Sequence, residues 1–323
     1  MIYTLAGRLY AGLFFALLSA FFTRFSLAND HVDDWAAPIE PARQLLLNKQ
    51  YSEALILFKQ QAALGNGLAQ FNIALFYDLG WGMPVDRNRA CSWYEQAANS
   101  NVPGAMQQVG ECYLAGTGIE KSTTLAFQWF IKAYEQGVIG AACQAGELLI
   151  INNEIKTNVI KGLSLCIEGA QQGAIDAQSK LAKWYFNGTY ISQDYQQAYN
   201  WLQLAAGERS PESAYLLAQF YGQGIGMDPD LSQALYFYEM AAAAKYAPAY
   251  LPSAALYWQQ FTTAPQKQHL AKSYLWAKTA SRSSRDKNNI ALAQQLLLKI
   301  KKEMPPLWQD ELDQKVKQHL DKP

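Results

Sequence analysis

A recurrence every 36 residues limits how this chain can fold more than any other feature. A skeleton of small residues, aromatics and paired glycines restarts at Ala69, Ala105, Ala141, Ala177, Ser213 and Ala249. Its fullest form runs Ala105, Val109, Gly110, Tyr113, Gly116, Gly118, Ala126, Trp129, Phe130 and Ala133. A fixed period of this length marks an array in which each unit is one supersecondary element that buries its apolar face against its neighbours.

Counting each restart as position 0, column +8 holds Tyr77, Tyr113, Leu149, Tyr185, Tyr221 and Tyr257. Column +5 holds only Ala74, Gly110, Gly146, Ala182, Ala218 and Ala254, which marks a close approach. Positions 0, +4, +5 and +8 share one side of a helix, so each unit opens with a helix, A. Glycines at +11 and +13 (Gly80/Gly82, Gly116/Gly118, Gly224/Gly226, with Gly188/Tyr190 in the fourth unit) fit a helix stop and a turn of positive φ. Column +17 is Asp86, Ser122, Asn158, Asp194 and Asp230, all residues whose side-chain oxygen caps free N–H groups at a helix start. Gln197 and Gln233, three residues after Asp194 and Asp230, give these two the pattern of a capping box. A second helix, B, therefore starts at +18 and buries Ala90, Trp93, Tyr94 and Ala97 in the first unit. Each unit is an αα-hairpin, and the chain is expected to be all-α.

The order Ala-x3-Leu-Gly-x2-Tyr-x2-Gly-x-Gly-Val-x2-Asp-x2-Lys-Ala-x2-Trp-Tyr-x2-Ala-Ala, in units of this length, resembles the Sel1-like repeat. That repeat is a relative of the tetratricopeptide repeat with a longer Gly-rich loop. The resemblance covers residues 41–281, and units one, two, four and five match best. Unit three has Asn152 and Glu154 where the loop glycines belong; unit six has Gln260 and Thr262 there, with about three extra residues before Ser273. The resemblance implies a right-handed α-solenoid of stacked αα-hairpins with capping helices at both ends. It also implies an adaptor or scaffold without chemistry of its own.

Residues 1–28 read as a signal peptide, with Arg8, an apolar run Leu9–Phe22 and the small-x-small site Ser26-Leu27-Ala28. The run is shorter than the roughly 20 residues a span needs, so no stable membrane span is expected after cleavage, and the protein is expected to be periplasmic or secreted. Residues 29–40 read as a flexible acidic lead. Residues 41–281 are the array, a tetratricopeptide-like N-terminal cap followed by about six repeats. Residues 282–323 are C-terminal capping helices broken at Pro305-Pro306. Residues 29–281 hold 16 basic and 21 acidic side chains, and residues 282–323 hold 9 and 6. Neither segment has the clustered Lys and Arg that neutralise phosphates, which argues against nucleic acid. Nothing in the sequence fixes an oligomeric state.

Four cysteines in an exported chain point to disulfides. Cys91 and Cys112 lie about equally far either side of the turn near Asn101, and Cys143 and Cys166 about equally far either side of the loop near Glu154. Each pair should stand level on antiparallel helices, as the short Cα separation of a disulfide demands. The expected bridges are Cys91–Cys112 and Cys143–Cys166. No CxxC pair suggests zinc.

The three histidines, His31, His269 and His319, belong to no HExxH motif, and neither GxSxG nor GxxxxGK[ST] occurs. Gly222-Gln223-Gly224-Ile225-Gly226 mimics a dinucleotide loop, but its last two glycines recur in the loop columns of other units. No catalytic residue, metal or cofactor is expected. Asp78 interrupts a column of Leu114, Ile150, Phe186 and Gly222 and is given no role. What remains is surface. A-helix residues off the core stripe form a polar ribbon of Asn72, Gln108, Gln144 and Lys180 at +3 and Glu111, Glu147, Lys183 and Gln219 at +6. A helices line the concave side of such stacks, where partners bind; Tyr215, Leu216 and Trp258 add apolar area. The expected function is a non-catalytic protein–protein interaction scaffold of the bacterial cell envelope, binding another envelope or secreted protein or peptide on that face. The alternatives are cell-wall peptide or glycan binding, or the weak penicillin-binding or β-lactamase-like activity that resemblance to cysteine-rich Sel1-like proteins implies. Those proteins carry cysteines in almost every unit, and this chain has four.

Overall fold

A computed structural model describes residues 30–151, 158–206 and 210–321, with side chains from Trp35 onward. Residues 1–28, expected as a signal peptide, and the side chain of His31 lie outside the described residues. The described chain falls into two compact bodies, residues 30–148 and residues 149–151 with 158–321. The first holds α1 (Asp30–Leu47), α2 (Tyr51–Ala63), α3 (Gly67–Leu79), α4 (Arg87–Asn99), α5 (Pro103–Ala115), α6 (Thr123–Glu135) and most of α7 (Ile139–Ile151). The second holds α8 (Val159–Gln171), α9 (Ile175–Asn187), α10 (Tyr195–Ala205), α11 (Pro211–Gln223), α12 (Leu231–Ala243), α13 (Tyr250–Thr263), α14 (Lys267–Ser283), α15 (Lys287–Glu303) and α16 (Trp308–Asp321). The architecture is an all-α solenoid type, with α3/α4, α5/α6, α9/α10, α11/α12 and α13/α14 as successive A/B hairpins.

The periodic columns explain the core. At +4, Ile73, Val109, Leu181 and Leu217 are buried; at +25, Tyr94, Phe130, Leu202 and Tyr238 are buried opposite them. A Cβ on Gly110 would stand 2.6 Å from the ring of Phe130. That close approach keeps the +5 column small. Four +8 tyrosines are less deep than their periodicity suggests: Tyr77, Tyr113, Tyr185 and Tyr221 are half-buried, while Phe76, Cys112, Trp184 and Phe220 at +7 are buried; in unit six the order is reversed, with Tyr257 buried and Leu256 half-buried. Trp93, Trp129 and Trp201 are likewise half-buried.

The backbone at +8 has its own task. In five successive units the N–H of the helix-B cap donates to the +8 carbonyl, from Asp86 to Tyr77, Ser122 to Tyr113, Asn158 to Leu149, Asp194 to Tyr185 and Asp230 to Tyr221, at 2.8–3.0 Å. The same five cap side chains accept from backbone N–H groups of the first turn of helix B. The capping box expected at Asp194 and Asp230 is therefore replaced, because the cap N–H that Gln197 or Gln233 would satisfy is already bonded across the loop. Helix A stops where Gly80, Gly116, Gly188 and Gly224 adopt φ of 66–69°, a conformation that costs a side-chain-bearing residue about 1–2 kcal/mol.

Two boundaries differ from the sequence reading. Residues 30–40, expected as a flexible lead, are the first turns of α1, which continues through Pro38 and Pro41 to Leu47. Burial of Ile39 and Ala42 against the core of Phe58 and Phe76 holds the helix despite its prolines. In unit six, α13 runs on through Gln260 and Thr262 to Thr263, because no glycine stops it at +11. Helix α14 then begins after Gln266, which makes no side-chain cap hydrogen bond. At the C-terminal end, α16 is tied down by Tyr274, whose hydroxyl donates to Asp313 at 2.9 Å, and by a 3.2 Å contact between Tyr250 Oη and His319 Nε2.

Candidate functional site

The first body places five residues of the polar ribbon, Asn72, Gln108, Glu111, Gln144 and Glu147; the second body carries Lys180, Lys183 and Gln219. Three of the first group converge. Gln107 Nε2 donates to Gln144 Oε1 at 2.6 Å, and Gln144 Nε2 donates to Glu111 Oε1 at 2.5 Å, linking helix A of unit two to helix A of unit three. Gln108 and Glu111 also line a pocket of about 280 Å³, with Asp78, Arg87, Tyr94 and Thr117. The Cys91–Cys112 disulfide, with Cα atoms 5.9 Å apart, forms part of its wall and joins α4 to α5.

Asp78 anchors the polar side of this pocket. Tyr94, almost fully buried, donates its hydroxyl to Asp78 Oδ2 at 3.2 Å, and Arg87 Nε lies 3.8 Å from Asp78 Oδ1. Burial, and then the charge and hydrogen bond of Asp78, hold the Tyr94 phenol well above its ordinary pKa, so it stays a donor. Arg87 is largely exposed, and an ion pair this open contributes little to stability. Sequence reading gave Asp78 no role, yet a lone carboxylate in an otherwise apolar column was the available signal. Gln107, the third member of the amide network, sits one column before the ribbon and was missed for that reason.

The remaining ribbon residues have local partners. Asn72 Nδ2 donates to the Leu68 carbonyl at 2.8 Å in its own helix. Lys183 pairs with Glu212 at 2.5 Å, and Gln219 donates to the Tyr215 hydroxyl at 3.3 Å. Neither Glu147 nor Lys180 is unpartnered. Tyr215, expected as exposed apolar area, is half-buried against Tyr238 and Tyr246, with centroids 5.6 and 5.4 Å away. Leu216 packs against the cluster of Leu202 and Phe220, and Trp258 lies on Phe261. Cys143 and Cys166 are also disulfide-bonded.

A second cluster joins Glu239, Tyr257 and Lys272. Tyr257 Oη donates to Glu239 Oε2 at 2.5 Å; Lys272 Nζ lies 2.9 Å from Tyr257 Oη and 2.7 Å from Glu239 Oε1. Burial, and next the Glu239 hydrogen bond, push Tyr257 up to about 12. Burial alone would lower Lys272, but its bonds to Glu239 and Tyr257 outweigh that and raise it. A base or nucleophile needs the opposite shift, so this trio is tuned as a structural ion pair. Among the described residues no group of three or more His, Cys, Asp or Glu side chains is placed to hold a metal ion.

These features define a helical-repeat protein with a polar, hydrogen-bonded surface. A model of the Sel1 repeat matches residues 67–102, 103–138, 175–208 and 211–246, and the chain is therefore a protein carrying four Sel1 repeats. A Sel1 repeat protein from Oxalobacter formigenes is 26% identical, with a TM-score of 0.66, over 76% of this chain and 100% of that one. A protective antigen of uropathogenic Escherichia coli with the same repeat fold is 19% identical, with a TM-score of 0.45, over 83% of this chain and 64% of that one. The immunity protein Pa5087 of Pseudomonas aeruginosa is 19% identical, with a TM-score of 0.47, over 67% of this chain and 84% of that one. No curated protein matches the sequence. Sel1 repeats generally mediate protein–protein interaction, and their fold is typically a non-catalytic scaffold. No helix among the described residues is long and apolar enough to cross a membrane.

Proposed function

We propose that this chain is a non-catalytic scaffold that binds another protein or peptide through the A-helix surface of its first body, outside the cytoplasm. The network Gln107–Gln144–Glu111, open to solvent at Glu111 and continuous with the pocket of Asp78, Gln108 and Thr117, carries this reading. Amides and carboxylates fixed across neighbouring helices offer donors and acceptors in a set register, which is what an extended peptide backbone needs for recognition. An oxidising compartment is supported by the Cys91–Cys112 bridge, since such bonds persist where thiols are not kept reduced. The bacterial cell envelope meets that condition.

Crosslinking in cells tests this reading. Tagged full-length protein is compared with the variant Gln108→Ala/Glu111→Ala/Gln144→Ala. A partner captured by the parent and lost from the variant is the expected result. The same crosslinked proteins from both would overturn the assignment of this surface. Turnover of nitrocefin by the purified chain would overturn the non-catalytic reading.

A further inference from the structure

The second body contains an open pocket of about 480 Å³, lined by Leu231, Leu256, Thr263, Ala264 and His269 among others. Its origin lies in the repeat. Leu231 is the first residue of helix B in unit five (+18), and Leu256 is column +7 of unit six. The equivalent pair is Tyr51 and Phe76 at the start of the array, with centroids 6.4 Å apart, and Tyr195 and Phe220 in units four and five, 6.1 Å apart.

In those two places the floor is covered by the unit's own Gly-rich loop. Trp81 packs edge-on to Phe76 at 5.4 Å, a Cβ on Gly82 would stand 2.7 Å from Tyr51 Cβ, and Met83 packs on the same core. Ile225 and Met227 likewise pack over the cluster of Ala198, Leu202 and Phe220. In unit six helix α13 continues through these columns, so no loop folds back, and Leu256 is only half-buried where Phe76 and Phe220, its counterparts at +7, are fully buried. The wall also holds a buried ring nitrogen, His269 Nδ1, without a hydrogen-bond partner, an arrangement that costs free energy.

We propose that this pocket is a binding site for a loop donated by another protein: a short Gly-x-Gly segment presenting two apolar side chains, of the kind that the chain's own loops supply. The loop-on-helix interface of the earlier units continues to this seat and ends there open. The glycines let the donated backbone approach the helix start, and the apolar side chains cover Leu231 and Leu256. This site lies in the second body and goes beyond the surface proposed above; neither depends on the other.

The test uses the purified full chain and a fluorescein-labelled peptide with the sequence of residues 222–230, Gly-Gln-Gly-Ile-Gly-Met-Asp-Pro-Asp, read by anisotropy. Saturable binding is expected, weakened at least tenfold when Ala264→Trp fills the seat. It is also weakened at least tenfold in the variant Gln260→Gly/Thr262→Gly/Thr263→Met, which restores the repeat's own loop residues. Replacing Met by Asp in the peptide should weaken binding equally, whereas Gln108→Ala/Glu111→Ala in the chain should leave it unchanged. Absence of saturable binding to the parent chain overturns the proposal, as does undiminished binding to both seat variants. Self-association that the peptide abolishes overturns the assignment to another protein and gives the seat to a second copy. The failure of Ala264→Trp to fold leaves the loop-restored variant and the Met→Asp peptide to decide.

Discussion

Removing the Cys91–Cys112 bridge measures how far the first body depends on a covalent tie. The bridge closes a loop of sequence separation 21, and the chain-entropy relation gives about 3 kcal/mol for a loop of that size. Both sulfurs are buried, so Cys91→Ala/Cys112→Ala also removes their packing, worth about 1–2 kcal/mol in all. Guanidinium unfolding separates the two contributions. Under oxidising conditions the variant should lie about 4–5 kcal/mol below the parent. With a strong reductant both chains lack every disulfide, and the gap should close to the packing contribution alone. An array loses its weakest interfaces first, so hydrogen exchange should accelerate chiefly in α4 and α5, the helices that hold Tyr94, Gln108 and Glu111. A gap of the same size in both conditions would refute the reasoning, because packing and not the covalent tie would then carry the effect.

Two further changes test the column logic and the ionisation of the buried phenols. Gly110→Ala forces a methyl to 2.6 Å from the fully buried Phe130 ring, costing about 1–3 kcal/mol against up to about 1 kcal/mol of helix propensity. Gly140→Ala meets nothing nearer than 3.9 Å and should be neutral or stabilising; melting temperatures that move together would refute the packing account. Tyr257 holds its proton to about pH 12 in the folded chain, whereas an unfolded phenol releases it near 10. Its contribution is therefore fully present below pH 10 and is lost as pH rises from 10 to about 12, where the unfolded state binds fewer protons. Denaturant midpoints should fall across that window and fall less in Tyr257→Phe; equal slopes in the two chains would remove Tyr257 as a cause.

The hairpins were legible because their determinants are local and repeat. A cap residue at Asp86, a stop at Gly116 and a small residue opposite Phe130 each fix backbone or packing within one unit, and recurrence in four to six units separates such signals from chance. Side-chain depth was less legible, since periodicity does not distinguish +7 from +8; the bond from the Asp86 N–H to the Tyr77 carbonyl, repeated at +8 in the first five units, appears only in three dimensions. The lead before residue 41 was misread because its acidic composition is a local signal, whereas the burial of Ile39 against Phe58 and Phe76 is not. The same limit applies with more force to the candidate sites. Repetition reports what every unit shares, and a site is what one unit has alone: Asp78 in an apolar column, or Thr262 and Thr263 where glycine and methionine stand elsewhere. In a column alignment such residues register as noise. They become chemistry only when the fold brings Asp78 to Tyr94 and leaves Leu256 half-covered, so departures from the repeat, and not its consensus, are where partner recognition in this chain is to be sought.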